Sequence, residues 1–377
     1  MLAALVRIPF VLLPPLFSDD VYRHRWDGRV VALGRDPYRF PPSSPALASF
    51  RDAESRKINH PRFTTVYGPL AQGLLGLLAL SPARASVTSI KAMAAAFDLV
   101  AVAALFALGG SWPAVAYALH PLAIVETAGD GHLDGVSTAL LLVSLALLSR
   151  AKGRLAAVAF AAATLVKLTP LGAAPALLRG VGRRGTAIAV ALFAAAHLPF
   201  LASGGPFKGL STYARSWEAN GVLYPDLVRL LTALDAAAWA KRAYGSLKAL
   251  LGHPRFFDHA WPYFYDGFLA RALLAALFVA AAIVIHRRER DVTRASGLLL
   301  VSLLVVSPTL HPWYLVNVLP FALLFRWTSV AWVAGAAPLA HVAALPPGTT
   351  RAIELLPALA LAVLVDRRRR FDREEPA

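Results

Sequence analysis

The chain has no cysteine, so it can build neither a disulfide framework nor a thiolate metal site or cysteine nucleophile. It also lacks the motifs by which soluble enzymes handle phosphates and acyl groups: a phosphate loop, a dinucleotide fingerprint, a serine on a nucleophile elbow. Charged residues are scarce, 16% of 377, against about a quarter in an ordinary soluble domain. No internal repeat and no low-complexity linker divides the chain, which reads as a single domain, 1–377.

Apolar side chains fill the space. They make up 57% of the residues, mean hydropathy is +0.56, and a soluble domain reaches only roughly 45 to 50%. Apolar stretches recur at 2–17, 88–108, 112–127, 133–149, 155–178, 185–203, 265–285, 294–310, 312–325, 328–345 and 351–365. Most are near the roughly 20 residues that cross a bilayer. The expectation is an all-α, polytopic membrane protein with about 10 to 13 transmembrane helices. Residues 1–17 are followed by Ser18 and Asp19 rather than by a small-residue cleavage site, and they read as a retained first helix.

A net charge of +16 suggests a nucleic-acid partner in a soluble protein, but not in a multi-spanning one, where Lys and Arg collect in short cytoplasmic connections. Arg150, Lys152 and Arg154, then Arg179, Arg183 and Arg184, then Arg287, Arg288, Arg290 and Arg294, and the tail 366–377 with its four arginines at 367–370 all fit that pattern. No nucleic acid is expected. With those clusters inside a plasma membrane, parity places three segments outside: 18–66, the GDGHLD sequence at 129–134, and a longer loop, 204–264. Parity also requires 155–178 to return to its own side as a proline-broken hairpin with Lys167 near its tip. The thirteen residues 69–81 are too few to span and read as interfacial or re-entrant.

The polar residues are unusual where they gather. SDDVYRHRWD at 18–27 follows directly on an apolar run. Ser18 and Asp19 are good helix caps, but a cap does not need Asp20, Tyr22, Arg23 and Trp26 as well. A carboxylate beside the membrane suits a general base or a ligand for a hard divalent cation. Val21, Trp26, Val30 and Leu33 stand at helical spacing, which predicts a juxtamembrane helix lying in the interface with its apolar face down. Lys167 interrupts an apolar run and is either a snorkelling side chain or a ligand for phosphate. In TLHPWYLVN, His311 precedes a proline that can start a helix, and Trp313 and Tyr314 fit both an aromatic belt and a sugar-stacking surface. Glu126, Asp130, His132 and Asp134 cluster around the external turn at 129–134, where His132 and Asp134 are a weak metal signal.

Together, SDDVYRHRWDGRVVALGRDPYRFPP (18–42), INHPRFTTVYGPLAQ (58–72), HPLAIVETAGDGHLDG (120–135), LVKLTPL (165–171) and LHPWYLVNVLPF (310–321) resemble the GT-C superfamily of integral-membrane glycosyltransferases, in its bacterial polyprenyl-phosphate-sugar-dependent mannosyltransferase-like branch. That resemblance implies a GT-C fold and transfer of a sugar, mannose first, from a polyprenyl-phosphate carrier to a hydroxyl of an envelope glycan or glycolipid. Transfer would proceed with inversion at the outer face. Asp19 would be the catalytic carboxylate with Asp20 beside it, and Lys167, His311 and Arg23 would hold the donor phosphate. Tyr22, Trp26, Tyr38, His132, Asp134, Trp313 and Tyr314 would face acceptor or sugar, and Asp19 with Asp134 would hold a divalent cation, Mg or Mn, if one takes part. The chain departs from the family at Asp130, where Asn is usual, and at His24, where Tyr is usual, so sugar preference does not carry over. The competing readings are a secondary transporter using Asp98, Glu126 and Lys167, and a non-enzymatic lipid-binding envelope protein.

Overall fold

The computed structural model describes residues 1–81, 85–253, 255–341 and 347–366. Among them the secondary structure is helical, and the only β-type contacts are isolated bridges from Ala219 and Asn220 to Thr309. The four arginines at 367–370 lie outside the described residues.

The all-α expectation holds, but helix length does not bear out ten to thirteen crossings. Among the described residues three helical stretches are long and apolar enough to span: Val87–Gly109, Thr169–Ser203, which a non-helical Gly182 interrupts, and Asp266–Arg288. A fourth arises if Pro121–Gly129 and Asp134–Leu148, bent by 118° at their junction, count as one broken span. Proline shortens many of the other apolar stretches, because it removes a backbone donor and clashes with the preceding turn. Pro312 and Pro320 open short helices at Pro312–Asn317 and Leu319–Phe325. The spanning helices turn Phe106, Val190, Val279 and Ile283 outward, the apolar exterior of a membrane protein.

The first segment is not one helix but two short ones, Leu2–Leu5 and Ile8–Leu12, with Arg7 at the break. Arg7 is buried and donates to Asp98 at 2.7 Å and to the carbonyl of Ala118 at 2.9 Å, and Tyr117 donates to the other Asp98 oxygen at 2.7 Å. Two charges that hydrocarbon would not tolerate singly thereby satisfy each other.

The helix predicted after Ser18 is present as Asp20–Ala32, but it does not lie apolar face down in an interface. Val21, Trp26 and Val30 pack into a core with Leu75 and Leu133. Part of its polar side is also satisfied inside the protein: Arg23 bonds Asp27 at 2.8 Å, and Gln72 reaches Asp27 and Thr65. Its partner is the short helix Pro69–Ala79. The approach is close enough that a Cβ on Gly28 would meet the Leu75 carbonyl oxygen at 2.5 Å. Arg25 and Arg29 pair with Asp52, and Arg25 also pairs with Glu54, folding the rest of the first loop onto the helix.

The hairpin is built from Gly153–Val166, a turn containing Lys167 and the 3-10 segment Thr169–Ala173, and the first turns of Ala174–His197. Gly182, at φ 68°, breaks that last helix and separates the returning leg from the apolar leg beyond. Residues 204–264 carry the helices Gly205–Ser216, Tyr224–Ala233 and Ala236–Leu250. At the base of the hairpin, Gly153 abuts Val181, and Arg179 donates to the carbonyls of His286 and Glu289. Three basic connections thus share one end, and about 21 Å of helix separates them from Lys167.

Candidate active site

Opposite the basic end, a cavity of about 350 Å³ opens between the first loop, the hairpin tip, the helix Gly205–Ser216 and residues 303–314. Its polar lining includes Asp20, Arg23, Asn59, Lys167, His311 and Tyr213, and its aromatic lining includes Phe63, Tyr67, Trp217, Trp313 and Tyr314. Of the residues singled out by sequence, six meet there: Asp20, Arg23, Lys167, His311, Trp313 and Tyr314.

Two of the three basic residues are fixed by hydrogen bonds from the protein, and the third, His311, by ring stacking. Arg23 is fixed through Nε to Asp27 and through Nη1 to the carbonyl of Phe63 at 2.9 Å, while its Nη2 is buried without a partner. Lys167 ends its helix in extended backbone, which turns Nζ onto Asp134 Oδ2 at 2.7 Å and over the Tyr314 ring at 4.5 Å. His311 is not a standing cation. Burial, with Lys167 adding to it and Asp20 opposing, pushes its imidazole down to about 4, so near neutral pH it offers a neutral N–H.

Asp19 and Asp20 separate by one residue of helix geometry. Asp19 occupies the N-cap, exposed, with no cap hydrogen bond from its side chain. Asp20, half-buried, faces the cavity, where it accepts from Asn59 at 2.9 Å and stands 3.9 Å from His132 Nδ1. The carboxylate positioned to meet a ligand is therefore Asp20.

His132 and Asp134 stand behind the wall. His132 stacks on Trp313 at 4.2 Å, and His311 stacks on the same indole at 4.3 Å. Asp134 accepts from Lys167 through one oxygen and from Asn317 Nδ2 at 3.0 Å through the other, and it lies outside the cavity lining, so it positions the lysine from behind. Asp19, expected to share a cation with it, is exposed and outside the cavity lining, whereas Asp134 is buried. The ligand-type side chains that do converge among the described residues are Glu126, Asp130 and His132.

Three aromatic residues expected against a sugar are packed elsewhere. Trp26 is a core residue. Tyr38 is buried, donates to the Tyr67 carbonyl at 2.8 Å and meets Phe200 edge-on. Tyr22 lies under Lys57 and outside the cavity lining. Their places are taken by His60, Phe63, Tyr213 and Trp217, whose rings contact one another at 4.6 to 5.1 Å through Trp217. Tyr213 also hydrogen-bonds Tyr314. His60 and Phe63 lie in the motif INHPRFTTVYGP, so the signal was present in the sequence, but only folding shows which rings turn inward.

Residues 1–182 match the family model for the alpha-(1->6)-mannopyranosyltransferase N-terminal domain. The match bears out the resemblance to mannosyltransferases and supports glycosyltransferase activity. It includes Asp20, Arg23, His132, Asp134 and Lys167; His311, Trp313 and Tyr314 lie beyond it. No curated protein and no solved structure matches the chain.

Proposed function

We propose, from the kinship of residues 1–182 with the alpha-(1->6)-mannopyranosyltransferase N-terminal domain, that this membrane glycosyltransferase moves a mannosyl unit from a polyprenyl-phosphate carrier to a hydroxyl of an envelope glycan or glycolipid, with inversion. One observation carries the reading: a carboxylate, Asp20, shares a cavity with two cations, Lys167 and Arg23, at the end of the molecule remote from the basic connections. That polarity supports an extracytoplasmic site, because basic connections stay in the cytoplasm.

In this mechanism Asp20 takes the proton from the acceptor hydroxyl as its oxygen bonds to the anomeric carbon. The bond from that carbon to the phosphate oxygen breaks, and the carrier leaves as a phosphate monoester with one more negative charge. Lys167 Nζ and the free Nη2 of Arg23 meet that charge in a partly dry site, where it counts most. The neutral His311 adds a hydrogen bond. Trp217, Phe63 and the Trp313 stack supply flat apolar faces for sugar or prenyl chain. The transporter reading loses one of its coupling residues, since both Asp98 oxygens are engaged by Arg7 and Tyr117.

The test is transfer from radiolabelled polyprenyl-phosphate mannose. Asp20→Asn is expected to slow product formation about a hundredfold or more, the scale of a lost general base, and Asp19→Asn to stay within about threefold, as for a residue that is not the base. The reverse order would return the base to Asp19. No product from the parent would favour a transporter or a lipid-binding protein.

A further inference from the structure

One layer behind the cavity wall lies a buried cluster that the transfer mechanism leaves unused. The backbone widens into a five-residue π-turn at Val125–Gly129, a feature frequent at functional sites. It then curls so that the His132 amide bonds the Glu126 carbonyl at 2.9 Å. Glu126, Asp130 and His132, all buried, thereby bring one ligand atom each to within 4.8 Å of one another. His132 Nε2 lies 3.4 Å from one Glu126 oxygen, and His341 Nε2 lies 3.6 Å from the other.

These groups lack what buried polar groups normally have. Among the described residues both Glu126 oxygens, Asp130 Oδ2, both His132 nitrogens and His341 Nε2 have no hydrogen-bond partner. Asp130 Oδ1 is taken by the amides of Leu16 and Phe17 at 2.6 and 3.1 Å, which leaves Oδ2 as the free oxygen. Among the described residues no lysine or arginine forms an ion pair with either carboxylate; Lys91, the neighbouring lysine, donates to the Leu13 carbonyl. Two buried carboxylates without a cation are costly.

We infer that Glu126, Asp130, His132 and His341 form a site for a divalent transition-metal ion, with Zn²⁺ as the ion they fit best. Ligand atoms at about 2.0 to 2.2 Å from zinc stand roughly 3.5 Å apart around a tetrahedron, close to the 3.4 Å between His132 Nε2 and one Glu126 oxygen, while His341 Nε2 approaches the other oxygen at 3.6 Å from outside the Glu126, Asp130 and His132 group and would complete the set on binding. Two carboxylates balance the ion's charge, and two imidazoles favour zinc over magnesium or calcium, which prefer all-oxygen shells. Coordination through Nε2 leaves His132 Nδ1–H facing Asp20, the carboxylate–histidine–metal order by which outer groups orient a ligand ring. The ion is then a positioning device for the wall that Trp313 completes. Its existence does not depend on the sugar-transfer reading; its influence on the wall does.

The test uses the full-length protein in lipid nanodiscs, stripped with EDTA, titrated with ZnCl₂ or MgCl₂ and analysed for retained metal and for melting temperature. The parent is expected to retain roughly one zinc per chain, as a tetrahedral site does, to melt higher with zinc, and to bind magnesium at least tenfold more weakly. Glu126→Gln and His341→Gln should each weaken zinc binding at least tenfold. His341→Gln provides the second arm if Glu126→Gln fails to fold. A parent that holds no zinc after stripping and reloading, or variants that hold it as tightly as the parent, would overturn the site whether or not the protein transfers mannose.

Discussion

Lys167 has two tasks that can be separated. Its Nζ neutralises a buried aspartate, Asp134, and in the proposed reaction it also meets the donor phosphate. Removing one partner of a buried pair costs about 3 to 5 kcal/mol, whereas replacing both is far milder. Lys167→Met should therefore lower the melting temperature and raise the donor concentration needed for half-maximal rate severalfold. Adding Asp134→Asn should recover most of the melting temperature and none of the donor affinity; recovery of both would reduce Lys167 to a structural role. His24 gives a pH-dependent counterpart. It is fully buried, its ring nitrogens have no partners, and burial, with Asp20 opposing, pushes its imidazole down to about 3. The unfolded chain binds the proton near 6.5 and the folded chain does not, so this contribution is complete above 6.5 and is lost as pH falls toward 3. By pH 5.5 the loss is on the order of 1 kcal/mol. Melting curves between pH 7.5 and 5.5 should fall less steeply for His24→Phe than for the parent; parallel curves would show that His24 is not the group responsible. At this scale the sequence was partly legible. It gave the acidic pair but not which member turns inward, because one residue rotates a side chain by about 100° around a helix. Trp26 and Tyr38 could not be told from sugar-facing rings, because burial in a core and stacking on a ligand select the same side chains.

At the scale of elements, the helix Gly205–Ser216 closes the cavity by direct backbone approach. A Cβ on Gly209 would stand 2.5 Å from the Thr65 carbonyl oxygen and 2.7 Å from that of Thr64. Gly209→Val should push this helix off the first loop and carry Tyr213 and Trp217 with it. The expected result is a donor KM raised severalfold with melting temperature nearly unchanged; an unaltered KM would mean that the helix is no part of the site. The first-loop helix and the hairpin at Lys167 were readable beforehand, one from the helical spacing of Val21, Trp26, Val30 and Leu33, the other from prolines between basic flanks. The helices of 204–264 were not, since a continuous apolar run marks a span, whereas these short helices are apolar on one face only. Helix length alone does not yield the expected number of crossings for a related reason: hydropathy registers apolar content, while proline sets how long each helix runs.

The whole molecule is polar from end to end. Arg150, Lys152, Arg179 and Arg287 belong to connections at one end, and the cavity with Lys167 and Arg23 lies at the other. A lipid phosphate has two cationic places to go, and the account assigns it to the second, where a carboxylate and stacked rings accompany the charge. The most direct measurement is a structure of the Asp20→Asn protein with polyprenyl-phosphate mannose bound. The account predicts the phosphate within hydrogen-bonding distance of Lys167 Nζ and Arg23 Nη2, with the sugar beside residue 20. A phosphate seated among the arginines of the opposite end, with the cavity holding no sugar, would contradict it.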